Sequence, residues 1–170
     1  MTPFEKYIQS YTSLIPEGEW QKALLDSLNQ TEEKLGNLSE KQGELKYQEG
    51  KWSIKEVLQH LIDAERIFVY RALRFSRKDS SPIAGWDETH YAENTNPGAR
   101  LLSDILEEFH LTRKSTIAFF RSLQPSQLPL IGEANGNIIS VETIGKLLVG
   151  HHLHHLSVLT ERYIPLTKQQ

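Results

Sequence analysis

Apolar residues recur every three or four positions in four long stretches of the chain, the period of helices that bury one face. The first stretch runs from about Glu17 to Leu35, with Trp20, Leu24, Leu28 and Leu35 one turn apart or nearly so. The second is Ser53 to Ser76, where Ser53 and Glu56 have the spacing of a capping box. The third runs from about Arg100 to Leu123, with Leu102, Ile105, Leu106, Phe109, Thr116, Ile117 and Phe120 on one broad stripe. The fourth runs from about Val141 to Ile164, with Ser140 as N-cap and Pro165 as its stop. A short helix is expected near Phe4 to Tyr11, ahead of Pro16. Helices of about 24 residues span roughly 36 Å. Asn135-Gly136 is a tight-turn signal, which gives a weak hairpin signal over 129–139. The pattern predicts an all-α fold, an antiparallel four-helix bundle, in a single domain spanning 1–170.

The interval 77–98 carries turn residues and no sustained period. It is longer than bundle packing needs, and loops of that length are usually functional or mobile. Within it, "GWDE" supplies Trp86, Asp87 and Glu88. Turn chemistry is the leading expectation for them, and a wall for a pocket the second.

Composition narrows the function classes. The chain has 170 residues, 38% hydrophobic and 24% charged, with a net charge of −3. Its Lys and Arg are scattered, which leaves no electrostatic footprint for nucleic acid. No stretch reaches the roughly 20 apolar residues of a membrane span, and the N-terminus lacks the apolar run of a signal peptide. There are no cysteines, so disulfides, thiolate ligands and a cysteine nucleophile are excluded. This agrees with a cytoplasmic location.

Candidate chemistry concentrates in "VGHHLHHLSVL", 149–159, which holds four of the seven histidines. With His151 at the origin of a helical wheel, His155 lies at about 40°, His154 at about −60° and His152 at about 100°. Ile144, Leu147, Leu148 and Val158 share the arc of His151 and His155. In the second helix His60 shares a stripe with Val57, Ala64 and Ile67. Three inward imidazoles are costly to bury without partners. One metal ion satisfies all three, and three protein ligands leave a position open, the catalytic rather than structural arrangement. Zinc, nickel or iron suits an imidazole set, so one divalent ion is the expected cofactor. The spacing of His151 and His155 matches HExxH, but His152 stands where that motif has its glutamate base. His152 could compete for the metal, but solvent is the leading expectation for it. His152 and His154 are also candidates for the shell around the metal's ligands or for the pocket. His110 is expected on a helix flank and His90 in a loop.

These residues resemble the DinB/YfiT-like family of four-helix metal-binding proteins. The resemblance rests on "EGKWSIKEVLQHLIDAERIFVYRALRF" (49–75), "GWDETHY" (85–91) and "ISVETIGKLLVGHHLHHLSVLTERYI" (139–164). It implies a metal triad at His60, His151 and His155, with His154 matching a histidine not counted as a ligand and His152 matching nothing. It also implies an enzyme that activates a low-molecular-weight thiol, similar to bacillithiol or mycothiol S-transferases, acting on an electrophile as a homodimer. A metal-dependent hydrolase and a non-catalytic metal-binding module are the alternatives. Asp63, three residues after His60, is expected either to reach the metal shell or to form an interhelical or surface carboxylate. Glu65 is expected at the surface. Arg71 and Arg74 could hold an anionic substrate or salt-bridge to Asp or Glu in the core, and the structural role is the leading expectation.

Overall fold

The structure, a computed structural model, describes residues 1–168. Four long helices form the bundle: α2 (Trp20–Leu35), α4 (Ile54–Ser76), α6 (Leu102–Ser122) and α7 (Val141–Val158). Shorter helices are α1 (Pro3–Thr12), α3 (Glu40–Gly43), α5 (Glu88–Asn94) and α8 (Ile164–Thr167). The predicted capping box closes the start of α4: Ser53 N–H donates to Glu56 Oε2 at 2.6 Å, and Glu56 N–H to Ser53 Oγ at 3.2 Å.

Helices α2 and α4 each pack against both α6 and α7. The pairs α2–α4 and α6–α7 therefore lie across the diagonals, although each pair is consecutive among the long helices. This arrangement makes α4 and α7, which carry all three triad candidates, direct neighbours. Helix α1 lies along α7, and α5 lies on α4.

The weakly signalled hairpin is real: β1 (Ile131–Ala134) pairs antiparallel with β2 (Asn137–Ser140), in register Ile131 to Ser140 and Ala134 to Asn137. Asn135 and Gly136 take positive φ at its tip, as a two-residue hairpin turn requires. The long loop is also more ordered than its sequence suggests. Ile83 bridges to Ala134, and α5 forms in its second half.

Pro165 does not stop the last helix. A π-helical turn at Leu159–Tyr163 follows α7, and Pro165 falls in the first turn of α8. A proline is tolerated there because its missing N–H has no intrahelical partner to lose.

The core is split in two. One apolar cluster gathers Leu24, Phe68, Phe75, Phe120 and Ile144. The other gathers Leu28, Leu58, Ile105, Phe109 and Leu159. Between them every long helix contributes buried polar side chains: Ser27 and Thr31, His60 and Glu65, Arg113 and Thr116, His151 and His152. The histidines thus belong to a polar layer through the middle of the bundle.

Candidate metal centre

His60 on α4 meets His151 and His155 on α7. His60 Nε2 lies 3.1 Å from His151 Nε2, which lies 3.2 Å from His155 Nε2. One ligand-capable nitrogen from each residue falls within 4.8 Å of the others. The one-turn spacing of His151 and His155 puts both rings on one helix face, and the packing of α4 on α7 brings the third. Burial pushes the His60 pKa down to about 4 and the His155 pKa to about 3. His151 is pushed well down by burial and by the neighbouring histidines. The three imidazoles are therefore neutral near pH 7, as metal ligands must be.

The donor set fits a divalent ion. An ion about 2.0–2.1 Å from each nitrogen places the nitrogens about 2.9 Å apart at right angles and about 3.4 Å apart at the tetrahedral angle. The two observed separations lie inside that interval. A neutral imidazole carries one donor and one acceptor, so three converging Nε2 atoms cannot all satisfy one another. No carboxylate joins the group among the described residues.

Aromatic rings enclose the triad. Trp52 packs on His60 with ring centroids 4.9 Å apart, and Trp86 stacks with the same ring at 6.1 Å and 17°. Tyr11 meets His151 and His154 edge-on, each at 5.5 Å. Phe68 lies 6.2 Å from His151. Tyr163, in the π turn, donates to the Trp52 carbonyl at 2.7 Å and fixes that wall.

Several sequence expectations change here. His152 is not solvent-facing. It is 1% exposed, against Phe109, with Nε2 2.8 Å from Thr31 Oγ1. Thr31 donates its one hydroxyl proton to the Ser27 carbonyl at 3.0 Å, so His152 Nε2–H is the donor and Nδ1 is the bare nitrogen. That Nδ1 has no partner, and an orphaned acceptor is the cheaper of the two tautomers. Glu65 is not at the surface. It is 1% exposed and takes hydrogen bonds of 2.8–3.0 Å from Arg113, itself 1% exposed. Arg113 also donates to Ser27 Oγ at 3.2 Å. A helix with two packing neighbours buries more than one stripe, which is why the wheel misplaced both residues.

Asp63 stands apart from the triad, half-buried, accepting from Gln59 Nε2 at 3.0 Å. Gln59 accepts in turn from Arg100 at 2.8 Å. Asp87 performs the expected turn chemistry: its Oδ1 caps α5 by accepting from the Thr89 and His90 N–H groups. Trp86, Asp87 and Glu88 also line a cavity. His154 is exposed, with its ring beside His155. His110 pairs with Glu32, and His90 lies in α5 rather than in a loop. Arg74 forms the expected ion pair, with Asp79 at 2.6 Å. Arg71 forms none among the described residues. The sequence reading assigned no role to Trp52, Tyr11 or Tyr163. An aromatic residue outside the histidine stripes carries no signal of a ring contact made by tertiary folding.

A four-helix bundle with three neutral histidines converging from two adjacent helices defines a class, the helical bundles with a metal centre in the core. Within that class, residues 23–159 match the DinB superfamily, and the chain belongs to it. It is 23% identical over 145 residues to a protein of Oceanobacillus iheyensis named "putative metal-dependent hydrolase", covering 82% of this chain and 83% of that one. Its fold is similar to that of YfiT from Bacillus subtilis, described as "a probable metal-dependent hydrolase with an unusual four-helix bundle topology". That match has a TM-score of 0.77 at 21% sequence identity and covers 86% of this chain and 85% of YfiT. The family resemblance and the bundle expected from sequence both stand. No helix among the described residues is long and apolar enough to cross a membrane.

Proposed function

We propose that this chain is a metal-dependent hydrolase whose ion is held by His60, His151 and His155. The observation that carries the reading is the convergence of three neutral imidazoles with no carboxylate or fourth histidine in the cluster among the described residues. The names of the two similar proteins support it. A divalent ion with an open position supplies Lewis acidity and lowers the pKa of water toward neutrality. The chain's own residues do the rest. Burial keeps the histidines unprotonated and available as ligands. Trp52, Trp86, Phe68 and Tyr11 hold the rings in place and keep bulk water from their flanks, which strengthens electrostatic effects inside.

A second reading, transfer of a low-molecular-weight thiol to an electrophile, is favoured by one observation. Two cavities lie near the triad, and the smaller of them is lined by one of its histidines. One, of about 630 Å³, has Phe68, Trp86 and Leu147 on its wall. The other, of about 380 Å³, is lined by Tyr47, Trp52, His154, His155 and Tyr163. Two such spaces suit two substrates, and a chain without cysteine would take its thiol as a cosubstrate.

The test is a substrate panel of activated esters, amides and alkylating electrophiles. It is offered to metal-reconstituted protein with and without a small thiol, beside His151→Ala. Ester or amide turnover in thiol-free buffer, lost in His151→Ala, is expected. Turnover only with thiol would replace hydrolysis by transfer. No turnover under either condition would leave a metal-binding module.

A further inference from the structure

The larger cavity has on its wall a buried cation that forms no ion pair among the described residues. This cation is Arg71, which is 9% exposed. Its one hydrogen bond among the described residues is a long one, from Nη2 to the Ala84 carbonyl at 3.4 Å, and its Nε–H is buried without a partner. A guanidinium has five donors. Leaving most of them unused in a desolvated position is costly, and burial lowers the Arg71 pKa accordingly. The other buried cations are treated differently. Arg113 has Glu65, and Lys55 has Glu40 and Glu44.

The cavity around Arg71 is lined by none of the three histidines and adjoins the metal centre across shared walls. Phe68 and Trp86 line it and also touch His151 and His60. Side chains on a helix lean toward its N-terminus, so Arg71 leans along α4 toward Phe68 and the His60 end. Its Cζ lies 5.8 Å from the Phe68 ring centroid. The remaining wall is largely apolar, with Phe4, Ile144 and Leu147, and the amides of Asn135 and Asn137 stand at the hairpin end. Asp87 and Glu88 also line it. These two carboxylates repel a second negative charge, so a monoanion held at the Arg71 guanidinium is disfavoured less than a dianion such as a phosphate monoester.

We propose that Arg71 anchors the carboxylate of a monoanionic substrate whose flat apolar body lies between Phe68 and Trp86, next to the metal centre. The proposal deepens the hydrolase reading by naming a substrate class, and it rests on that reading for the reaction. The subsite itself can be tested without the ion. Arg71 is a binding residue here, with no part in bond breaking.

The probe is phenylacetate, titrated into the full-length protein and followed at the Trp86 indole N–H by NMR. Phenylacetamide and phenyl phosphate are the neutral and dianionic controls. Saturable binding of phenylacetate is expected, with weaker binding of both controls. Arg71→Gln should weaken it roughly ten- to a hundredfold, the loss of one charge-assisted contact. Glu88→Gln, at an exposed position, should tighten it, and this opposite sign keeps the test decisive if Arg71→Gln fails to fold. Equal affinity for phenylacetamide, or unchanged affinity in both variants, would overturn the subsite. Retention of phenylacetate binding in His151→Ala supports an Arg71 anchor, and its loss there would assign the carboxylate to the metal centre instead. Metal content measured on the same samples separates the two readings. A wild type without metal that still binds phenylacetate through Arg71 sinks the hydrolase and spares the subsite.

Discussion

At the scale of the residue, the polar layer is built from groups that tolerate burial only together. Glu65 and Arg113 are each 1% exposed and bound through two Arg113 nitrogens. Removing one member of such a pair strands a buried charge and costs about 3–5 kcal/mol. Arg113→Met should destabilise the chain by that order in urea unfolding, and the double variant Arg113→Met, Glu65→Leu should recover much of the loss. A small effect of the single substitution would show that the pair is solvated. The histidines carry a pH signature of their own. In metal-free protein they stay neutral in the fold, while the unfolded chain takes up protons near pH 6.5. Their folded pKa values are lowered, to about 4 for His60 and about 3 for His155. Stability is therefore full above about pH 6.5 and falls as the pH drops toward 4. The loss is about 1.4 kcal/mol per pH unit for each histidine that charges only on unfolding. Urea midpoints of chelator-treated protein between about pH 7.5 and pH 5 read this slope. A flat profile would mean that the rings are open to solvent.

At the scale of the element, the periodicity of apolar residues located all four long helices, because burial of one face is a local property of sequence. The inward positions of His60, His151 and His155 were legible for the same reason. What the pattern could not show depends on neighbours. Glu65 and His152 lie outside the main stripe, and only the diagonal packing of the bundle turns them inward. Arg113, the partner of Glu65, is 48 residues away in sequence. The π turn at Leu159–Tyr163 leaves no compositional mark, so Pro165 read as a stop. Helix α1 shows the same dependence. It rests on α7 where Gly150 has no side chain, and a Cβ there would run into the backbone carbonyl of Tyr11. Gly150→Ala should therefore push α1 away, loosen Tyr11 from His151 and His154, and cost about 1–3 kcal/mol. Thermal melts give the loss, and faster hydrogen exchange in α1 than in α4 locates it. Uniform exchange would place the strain elsewhere.

At the scale of the whole molecule, the bundle is two apolar cores joined by a polar layer, and the proposed ion sits in that layer, linking α4 to α7. Filling the layer should therefore stabilise the entire bundle. A ligand at 100 times its Kd adds about 2.7 kcal/mol. Chelation should accordingly lower the melting temperature of wild type and leave that of His151→Ala unchanged. The central claim, that His60, His151 and His155 form one metal centre, is tested most directly by metal content. Tag-free wild type is compared by mass spectrometry with His60→Ala, His151→Ala and His155→Ala, each purified and reconstituted alike. One divalent ion per wild-type chain is expected, with its loss in every variant. Full retention of the ion in the variants, or a wild type that holds no metal even after reconstitution, would contradict the claim.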